Sequence, residues 1–586
     1  MKFWGRSFFR VAFRPHRGFS YFMLYLQSVS LTVRSSEEPL LDDITLRLPG
    51  SHFGAIVGPS GCGKSTMLKT IAGILPHTAG TISWKGRNLD EHDLDPHELG
   101  YVPQFTCAQS LLTVGENIQY ALRLRRAVDS DEIRATVKRV EQETGLTELH
   151  DRQAGVLSGG QLRRLGLAME LTTNPSLLLA DEVTSGLDPK SEEEILALLE
   201  SLARQPGRLV LLVTHSLRCL DIYDSVTVLT AGRLAYAAPA SGLISYFGVT
   251  SPEEVYPTLA ARRPGAWAED WTSTPSSSGF EVGALEGDFS DELPAEPNLK
   301  VSIPSLASQA TTWFFRRAQL FWRDRFQMFL QMALMLIFPV IVTLFAYRGL
   351  PAVRNMTMGS DMDVVQQLRE TLDFTVQSSR IGTLVSGLAM FQVILLALMG
   401  ANNSAREIVG ERVIFEKEKL AGLRPAAALI GMTAFFSILV FFQSAWMVLF
   451  VRTVCQFPGD LWGQFFPFAL LTAAMTSLCL AVSSWASTNE QASLGSLYLV
   501  GFQLPLSGAF LALPEFLGEA IRPLISAYWA WSGYLQTLKE TRFYDLVSVI
   551  TETPVAPYPL SLWVLSLHLA AGLLLAYYGL RRSLWR

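Results

Sequence analysis

The sequence is poor in cysteine and shows no large excess of charge of either sign. Its 586 residues include five cysteines, and the formal net charge is −5. Because the cysteines are scattered and no two of them form a C-x-x-C pair, we predict neither a zinc site nor a disulfide framework. The nearly neutral balance provides no basic face of the kind that binds nucleic acid. A chain of this length is too long for one hydrophobic core and predicts two or three domains.

Charge is also scarce along much of the second half of the chain. Up to about residue 300 the composition is ordinary, whereas from about residue 326 onward the chain is mostly apolar and its charges are clustered. Several segments there are long enough, or nearly so, to cross a bilayer as helices. We predict six spans, at roughly 329–347, 381–401, 427–451, 463–485, 492–512 and 561–580. Their centres have no Asp, Glu, Lys or Arg, which argues against proton or sodium coupling and favours a path for an apolar molecule.

A glycine-rich loop with a lysine is the strongest chemical signal in the first half. It follows the short apolar strand 55–57 and fits the pattern G-x-x-x-x-G-K-[ST], whose backbone N–H groups close around nucleotide phosphates. Lys64 would reach the β- and γ-phosphates, and the Ser65 hydroxyl would hold Mg²⁺. The predicted loop consists of Gly58, Pro59, Ser60, Gly61, Cys62, Gly63, Lys64, Ser65 and Thr66.

A second apolar strand, 177–180, is followed by two acids, Asp181 and Glu182. An acid at the carboxyl end of a buried strand can reach a metal ion directly or through water, so we predict Asp181 as a Mg²⁺ ligand. Glu182 is placed to polarise an attacking water molecule. Taken alone, the two acids also fit a solvated strand end.

Short motifs elsewhere in the first half, taken together with this loop, resemble those of ATP-binding cassette (ABC) proteins. The matching residues are Ser158, Gly159, Gly160 and Gln161 of the signature, Gln104 of the Q-loop, Asp188 of the D-loop and His215 of the switch. The resemblance implies that ATP and Mg²⁺ are the cofactors and that Gln104 senses and binds the metal. It also implies that His215 contacts the γ-phosphate and acts in catalysis with Glu182 and Gln104. In the family, the signature closes over ATP held by the opposite subunit.

Two positions depart from the ABC pattern. The aromatic residue that stacks on adenine in this family normally stands at the end of the first strand, where this chain has Leu-Thr-Val-Arg at 31–34. Base selectivity is therefore open, with adenine held through apolar contact or through Arg34. Val183 replaces the proline usual after the catalytic acid, and we interpret this as a packing change because the position contributes no reacting group.

The charge-rich segment 403–418 resembles the coupling-helix region of subfamily G ABC transporters and their bacterial relatives. The order of the domains, with the ATPase first, is also that of this subfamily. The resemblance predicts the fold class, an α/β ABC-type P-loop nucleotide-binding domain followed by an all-α six-helix transmembrane domain of the type V, ABC-2-like exporter kind. Mixed charges also occur in ordinary solvated loops, which is the alternative for this segment.

We predict five regions along the chain, at 1–24, 25–250, 251–304, 305–326 and 327–586. They are a basic aromatic segment, the nucleotide-binding domain, an acidic Ser/Pro/Gly linker, an amphipathic connecting helix and the transmembrane domain. The first suits a helix at an anionic membrane surface, or else a disordered tail or a misplaced start codon. The linker has too few apolar residues to bury a core of its own, so we predict a flexible connector, with a regulatory role as the alternative.

The distribution of basic residues predicts the orientation in the membrane. Arginines and lysines cluster between the second and third spans and at the C-terminus, and positive residues favour the cytoplasmic side. Six crossings return the C-terminus to the side of the ATPase domain, which must be cytoplasmic to meet ATP. We therefore expect a multi-pass protein of the plasma (inner) membrane.

In the resembled family, the second and fifth membrane helices of both subunits line a central cavity. Here this implies Phe391, Gln392, Ile394, Leu395, Met399, Tyr498, Phe502, Gln503, Leu506 and Phe510. We expect a half-transporter, most simply a homodimer although a heterodimer also fits. It would export or flip a lipid, sterol-like or other hydrophobic molecule by alternating access. The alternatives are a mechanical or channel-gating complex without cargo, and a membrane-anchored ATPase of the soluble type serving DNA or translation.

Overall fold

The computed structural model describes residues 23–33, 38–92, 94–274, 303–346, 364–455, 457–508, 514–551 and 553–582. The main division between its two compact units falls between residues 303 and 304. The basic aromatic segment expected at 1–24 lies outside the described residues apart from its last two, and most of the acidic linker lies outside them as well.

Two β-sheets form the framework of the first unit. Its strands are β1 (Leu24–Leu31), β2 (Leu41–Leu48), β3 (His52–Val57), β4 (Ala79–Trp84), β5 (Arg87–Asn88), β6 (Leu99–Val102), β7 (Leu177–Asp181), β8 (Leu209–Val213), β9 (Ser225–Thr230) and β10 (Arg233–Pro239). The smaller sheet is antiparallel in the order β2-β1-β4-β5, and the larger has the order β10-β9-β3-β8-β7-β6. Strands β3, β7 and β8 are buried at every position, as expected for the centre of a parallel sheet.

Strands β9, β3, β8, β7 and β6 run parallel to one another. Their carboxyl ends therefore meet at one edge of the sheet, which is where ligands bind in open α/β folds. The residues that follow β3, β8 and β6 are the glycine-rich loop, His215 and Gln104, while β7 itself ends at Asp181. The topology thus collects motifs that are far apart in the sequence.

Helices surround these sheets in the first unit. They are α1 (Lys64–Ile71), α2 (Val114–Arg125), α3 (Ser130–Thr144), α4 (Gly159–Leu171), α5 (Pro189–Ala203), α6 (Leu243–Phe247), α7 (Val255–Ala260) and α8 (Pro264–Ser273). Helices and sheets share one continuous hydrophobic core, and Trp84 and Phe53 are among its largest fully buried side chains.

The described residues of the second unit form helices joined by short loops. Its helices are α9 (Leu306–Arg323), α10 (Arg325–Ala346), α11 (Val364–Ser404), α12 (Glu407–Gly410), α13 (Arg412–Leu420), α14 (Pro425–Cys455), α15 (Leu461–Trp485), α16 (Asn489–Gly501), α17 (Gln503–Leu506), α18 (Glu515–Ile521), α19 (Ser526–Gln536), α20 (Arg542–Ile550) and α21 (Tyr558–Arg581). Among the residues that the structure describes, five helices are long and apolar enough to cross a membrane. They are Arg325–Phe345, Ile381–Gly410, Pro425–Cys455, Leu461–Trp485 and Tyr558–Arg581.

Within the span predicted at 492–512, the described residues form two helices, and the span itself stays a prediction. The segment divides at Phe502 into α16 and α17, and residues 509–513 lie outside the described part of the chain. Pro505 has no N–H group to donate to the Gly501 carbonyl, which weakens the helix at this point. Gly508 then takes a left-handed conformation with φ 76°, which is typical of a helix end. The total of six spans stays a prediction.

Three buried amide side chains join helices α10, α11 and α14. Gln331 donates to Asn403 at 3.2 Å, and Asn403 donates to Gln443 at 3.0 Å. Gln443 closes the ring by donating to the Gln331 side-chain oxygen at 3.2 Å. Because buried amides are costly unless they are paired, this amide ring fixes how the three helices meet.

Candidate nucleotide-binding site

The glycine-rich loop lies between β3 and α1. Gly58, Gly61 and Gly63 have φ angles of 151°, 80° and 103°, in a region of backbone conformation that favours glycine. A Cβ atom on Gly58 would lie 2.2 Å from the Leu229 carbonyl oxygen, so a side chain there would also clash. The Lys64 ammonium group is buried and donates to the carbonyl oxygens of Gly58 and Pro59, at 2.9 Å each.

Ser65 and Asp181 meet at the same edge of the sheet. The Ser65 hydroxyl donates to Asp181 Oδ1 at 2.7 Å, although 116 positions separate the two residues. Burial raises the pKa of the Asp181 carboxyl, and the hydrogen bond from Ser65 opposes that rise. The sequence predicted both residues as Mg²⁺ ligands, and the structure brings them together.

Glu182 stands at the centre of a second cluster. Gln104 donates from Nε2 to Glu182 Oε2 at 2.7 Å, and His215 Nε2 lies 2.8 Å from Oε1. Glu182 has φ 49°, an uncommon left-handed conformation for a residue with a side chain. It lines a cavity of about 370 Å³ together with His215 and residues 184–187. The three side chains that the sequence predicted as catalytic are therefore in direct contact.

These residues fit a nucleoside triphosphate with Mg²⁺. Helix α1 begins after Gly63, which has no side chain to cap it, so its first N–H groups point to the loop without a side-chain acceptor. The Ser65 hydroxyl and the Asp181 carboxylate are hard oxygen donors of the kind that Mg²⁺ prefers. At the base end of the site, Val33 is 39% exposed, and Arg34, considered above as an adenine contact, lies outside the described residues.

The signature motif caps the start of helix α4. Ser158 Oγ accepts from the backbone N–H of Gln161 at 3.3 Å, and Gln161 Oε1 accepts from the N–H of Ser158 at 3.1 Å. Ser158 and Gly159 are exposed, and Gly160 and Gln161 are half-buried. Among the described contacts, no hydrogen bond or ion pair links the motif to the loop at 58–66. The first two residues of the motif therefore lie at the surface of the single chain.

Asp188 has a local structural role in this chain. It caps helix α5, and its carboxylate accepts from the Ser191 backbone N–H at 3.1 Å and from the Ser191 hydroxyl at 2.6 Å. These hydrogen bonds from Ser191 hold the pKa of Asp188 below its ordinary value. A cap of this kind fixes the path of the D-loop that precedes the helix.

Two residues in contact with the site were missed by sequence reasoning. Arg163, on α4, donates to the backbone carbonyl of Gln104 and so ties the Q-loop to the signature helix. Tyr101, on β6, donates from its hydroxyl to Asp181 Oδ2 at 3.4 Å. Burial raises the pKa of Tyr101, so its hydroxyl remains a donor at neutral pH. The sequence predicted no role for either residue, although Tyr101 opens the stretch 101–104 that matches the Q-loop; the strand register is the signal that could have singled it out.

In the second unit, the charge-rich segment pairs with helix α9. Arg316 makes a two-pronged ion pair with Glu418, with Nη2 lying 3.0 Å from Oε2. Arg317 pairs in the same way with Glu407, with Nη2 lying 2.7 Å from Oε2. All four side chains are at most 12% exposed, so at these positions the segment is not a solvated loop.

The residues expected to line a substrate cavity do not share one surface in the single chain. Gln392, Leu395, Met399 and Gln503 are buried, while Tyr498 and Phe502 are exposed. Phe391, Ile394 and Leu506 are half-buried, and Phe510 lies outside the described residues. The Gln503 side-chain oxygen accepts from the Ala527 backbone N–H at 3.0 Å, which accounts for its burial in structural terms.

The chain matches two family models, "ABC transporter" over residues 41–185 and "ABC-2 type transporter" over residues 308–534. It is 30% identical to the ABC transporter ATP-binding/permease protein Rv1747 of Mycobacterium tuberculosis, over 83% of this chain and 55% of that protein. It is 36% identical to the sulfate/thiosulfate import ATP-binding protein CysA of Mycobacterium bovis, over 38% of this chain and 65% of that one. It is also 32% identical to the methionine import ATP-binding protein MetN of Mesorhizobium japonicum, over 47% of this chain and 77% of that one. The chain thus spans about half the length of Rv1747 and just under two thirds of CysA.

Proposed function

This chain belongs to the ABC transporter family, with an ATPase domain ahead of an ABC-2 type membrane domain, and we propose that it is an ATP-driven half-transporter for a hydrophobic molecule. The ATPase domain is homologous to the ATP-hydrolysing domains of ABC transporters. The observation that carries the proposal is the contact of Glu182 with both Gln104 and His215, beside the Ser65–Asp181 pair.

This arrangement supports ATP hydrolysis by the chain's own residues. Lys64 and the N–H groups at the start of α1 would bind the phosphates, and Ser65 with Asp181 and Gln104 would hold Mg²⁺. Glu182 would orient and polarise the attacking water, and His215 would contact the γ-phosphate. To take these roles, Gln104 and His215 would have to give up hydrogen bonds to Glu182 and form contacts with Mg²⁺ and the γ-phosphate instead.

We propose that two copies of the chain form the working unit. The signature begins at the exposed residues Ser158 and Gly159 and makes no described hydrogen bond to the chain's own phosphate loop, and we propose that a second copy completes each ATP site. A homodimer is the simplest assembly, because one chain supplies every motif of two such sites apart from the adenine-stacking aromatic residue. The resemblance to subfamily G favours the same arrangement.

The cargo that we propose is a lipid, a sterol-like molecule or another hydrophobic compound, moved outward by alternating access across the plasma (inner) membrane. Support comes from the spans, whose centres have no Asp, Glu, Lys or Arg. In the last span, His568 is hydrogen-bonded to Ser526 Oγ at 2.8 Å and to the Pro523 carbonyl oxygen at 2.9 Å. These contacts give His568 a structural role between helices. Outward direction rests on the family resemblance.

Stimulated ATP hydrolysis tests the proposal. Protein in lipid nanodiscs should hydrolyse ATP with Mg²⁺, and at least one member of a panel of lipids, sterols and hydrophobic drugs should raise the rate. Hydrolysis that no panel member changes would count against a hydrophobic cargo. The absence of any Mg²⁺-dependent hydrolysis would contradict the proposed ATPase itself.

A further inference from the structure

Tyr101 contacts the carboxylate that is expected to face Mg²⁺, and neither the Q-loop match nor any other motif assigned it a role. We propose that Tyr101 is a positioning residue that sets the Mg²⁺ affinity of the ATPase site by fixing the orientation of Asp181. This inference rests on the proposed ATPase function and adds to it a residue that determines the response to the metal.

The register of the sheet places Tyr101 beside Asp181. In the parallel pair of β6 and β7, Tyr101 lies opposite Leu179, and Asp181 is two residues further along β7 on the same face. Two residues of a strand span about 6.5 Å, a distance that a phenol side chain directed along the strand can bridge. The hydroxyl accordingly reaches Asp181 Oδ2 at 3.4 Å.

The two oxygens of Asp181 have different partners. Oδ1 accepts a hydrogen bond from the hydroxyl of Ser65, which is itself a proposed metal ligand. Oδ2, the second carboxylate oxygen, accepts a hydrogen bond from Tyr101. Asp181 and Tyr101 are each only 4% exposed, so water cannot easily replace the phenol. Because Tyr101 holds Oδ2, the carboxylate plane cannot rotate freely. Oδ1 therefore stays directed to the proposed Mg²⁺ position beside the Ser65 hydroxyl.

The hydrogen bond from Tyr101 matters because residues that hydrogen-bond to a metal ligand fix the orientation of that ligand. Loss of such a partner typically lowers metal affinity by about ten- to a hundredfold. Strand β6, which carries Tyr101, is followed by Gln104, and Gln104 contacts the other acid, Glu182. Removing only the Tyr101 hydroxyl would leave that second contact intact, so its effect should fall on the metal.

The test uses Tyr101→Phe in the full-length protein, with Tyr223→Phe as the matched control. Tyr223 is also buried at 4% exposure, its ring packs against Phe53 at 5.0 Å between centroids, and no described hydrogen bond joins it to Asp181 or Glu182. Two quantities are measured for each protein. One is the Mg²⁺ concentration that gives half-maximal ATP hydrolysis, and the other is the rise in unfolding temperature caused by ATP with Mg²⁺ or by ATP with EDTA.

We expect Tyr101→Phe to need about tenfold more Mg²⁺ for half-maximal hydrolysis. Its stabilisation by ATP with Mg²⁺ should require a similarly higher metal concentration, whereas stabilisation by ATP with EDTA should match the wild type. Tyr223→Phe should behave as the wild type in every measurement. The unfolding measurement reports on folded molecules alone, so it decides the question even if the yield of the variant is low.

An unchanged Mg²⁺ requirement of Tyr101→Phe in both measurements would overturn the inference while leaving the ATPase proposal standing. An equal shift in Tyr223→Phe would also overturn it, because the effect would then come from general loss of packing. Failure of the wild type to hydrolyse ATP and to be stabilised by it would instead refute the proposed function.

Discussion

At the scale of single residues, Glu182 has both carboxylate oxygens engaged in the structure, one with Gln104 and one with His215. These are the two residues that the family resemblance assigns to the metal and to the γ-phosphate. The contacts hold the carboxylate at the edge of the cavity that Glu182 lines.

Replacing Glu182 by glutamine should abolish turnover without abolishing binding. An amide can keep hydrogen bonds to its neighbours but cannot serve as a base, and general-base catalysis typically contributes about 10²- to 10⁴-fold. We expect hydrolysis to fall by at least about a hundredfold, while stabilisation by ATP with Mg²⁺ is kept. Phosphate release and thermal unfolding measure the two effects. Glu193→Gln, at an exposed position on α5, is the control and should hydrolyse ATP normally.

The motif residues of the site could be predicted from the sequence because each lies at a fixed spacing from a glycine or follows an apolar strand. Ser65 with Asp181, and Glu182 with Gln104 and His215, come together in the structure in the groups that the motifs indicated. Tyr101 and Arg163 could not be found in this way. The role of Tyr101 depends on the register between two strands, and that of Arg163 depends on which side of α4 faces the Q-loop. A local sequence pattern encodes neither.

At the scale of elements, helix α9 buries two of its arginines while two of its aromatic side chains are exposed. Arg316 and Arg317 are buried, whereas Phe315 and Trp322 are 61% and 70% exposed. The helix covers most of the range 305–326, where an amphipathic helix was predicted, and its buried cations pair with Glu418 and Glu407. Buried ion pairs of this kind specify how elements fit together more than they add stability.

Replacing Arg317 by methionine should destabilise the second unit strongly. It leaves Glu407 buried without its partner, and breaking one side of such a pair costs about 3 kcal/mol or more. The double change Arg317→Met with Glu407→Leu should recover most of that loss, because no charge then remains unpaired. Thermal unfolding in detergent measures both, with the exposed Arg325→Met as control. A double variant as unstable as the single one would show that the pair is not the cause.

The amide ring makes a second prediction at this scale. Gln443→Leu leaves Gln331 and Asn403 with unmade hydrogen bonds, and we expect a cost of about 1 to 2 kcal/mol in the free energy of unfolding. Gln327→Leu, one turn earlier than Gln331 on α10 and only half-buried, should cost less. Equal unfolding midpoints of the two variants would argue against the ring.

The long membrane helices could be predicted from hydropathy alone, because lipid imposes length and apolarity on any spanning helix. The segment 492–512 shows the limit of this argument. Its composition is apolar enough, but Pro505 and Gly508 interrupt the backbone, and hydropathy does not detect this. The ion pairs between α9 and the charge-rich segment could not be predicted either, because pairing between positions far apart in the sequence produces no periodic pattern.

At the scale of the whole molecule, a shared ATP site can be tested by mixing two inactive variants. Lys64→Ala should disable the phosphate loop, and Gly159→Asp should disable the signature. Coexpressed, they should recover about a quarter of wild-type hydrolysis, because half of the dimers are mixed and each mixed dimer keeps one of two sites. Chains carrying both changes, coexpressed with wild type, should form no active mixed dimer. No recovery in the first mixture would contradict sites shared between two copies.

The central claim, that ATP hydrolysis drives a hydrophobic molecule across the membrane, is tested most directly by transport in reconstituted vesicles. Wild type and Glu182→Gln would be compared for ATP-dependent movement of fluorescent lipids, sterols and hydrophobic drugs between leaflets or compartments. We predict that the wild type moves at least one of these molecules when ATP and Mg²⁺ are present and that the variant moves none. A wild-type protein that hydrolyses ATP in the same vesicles but moves no member of the panel would contradict the account.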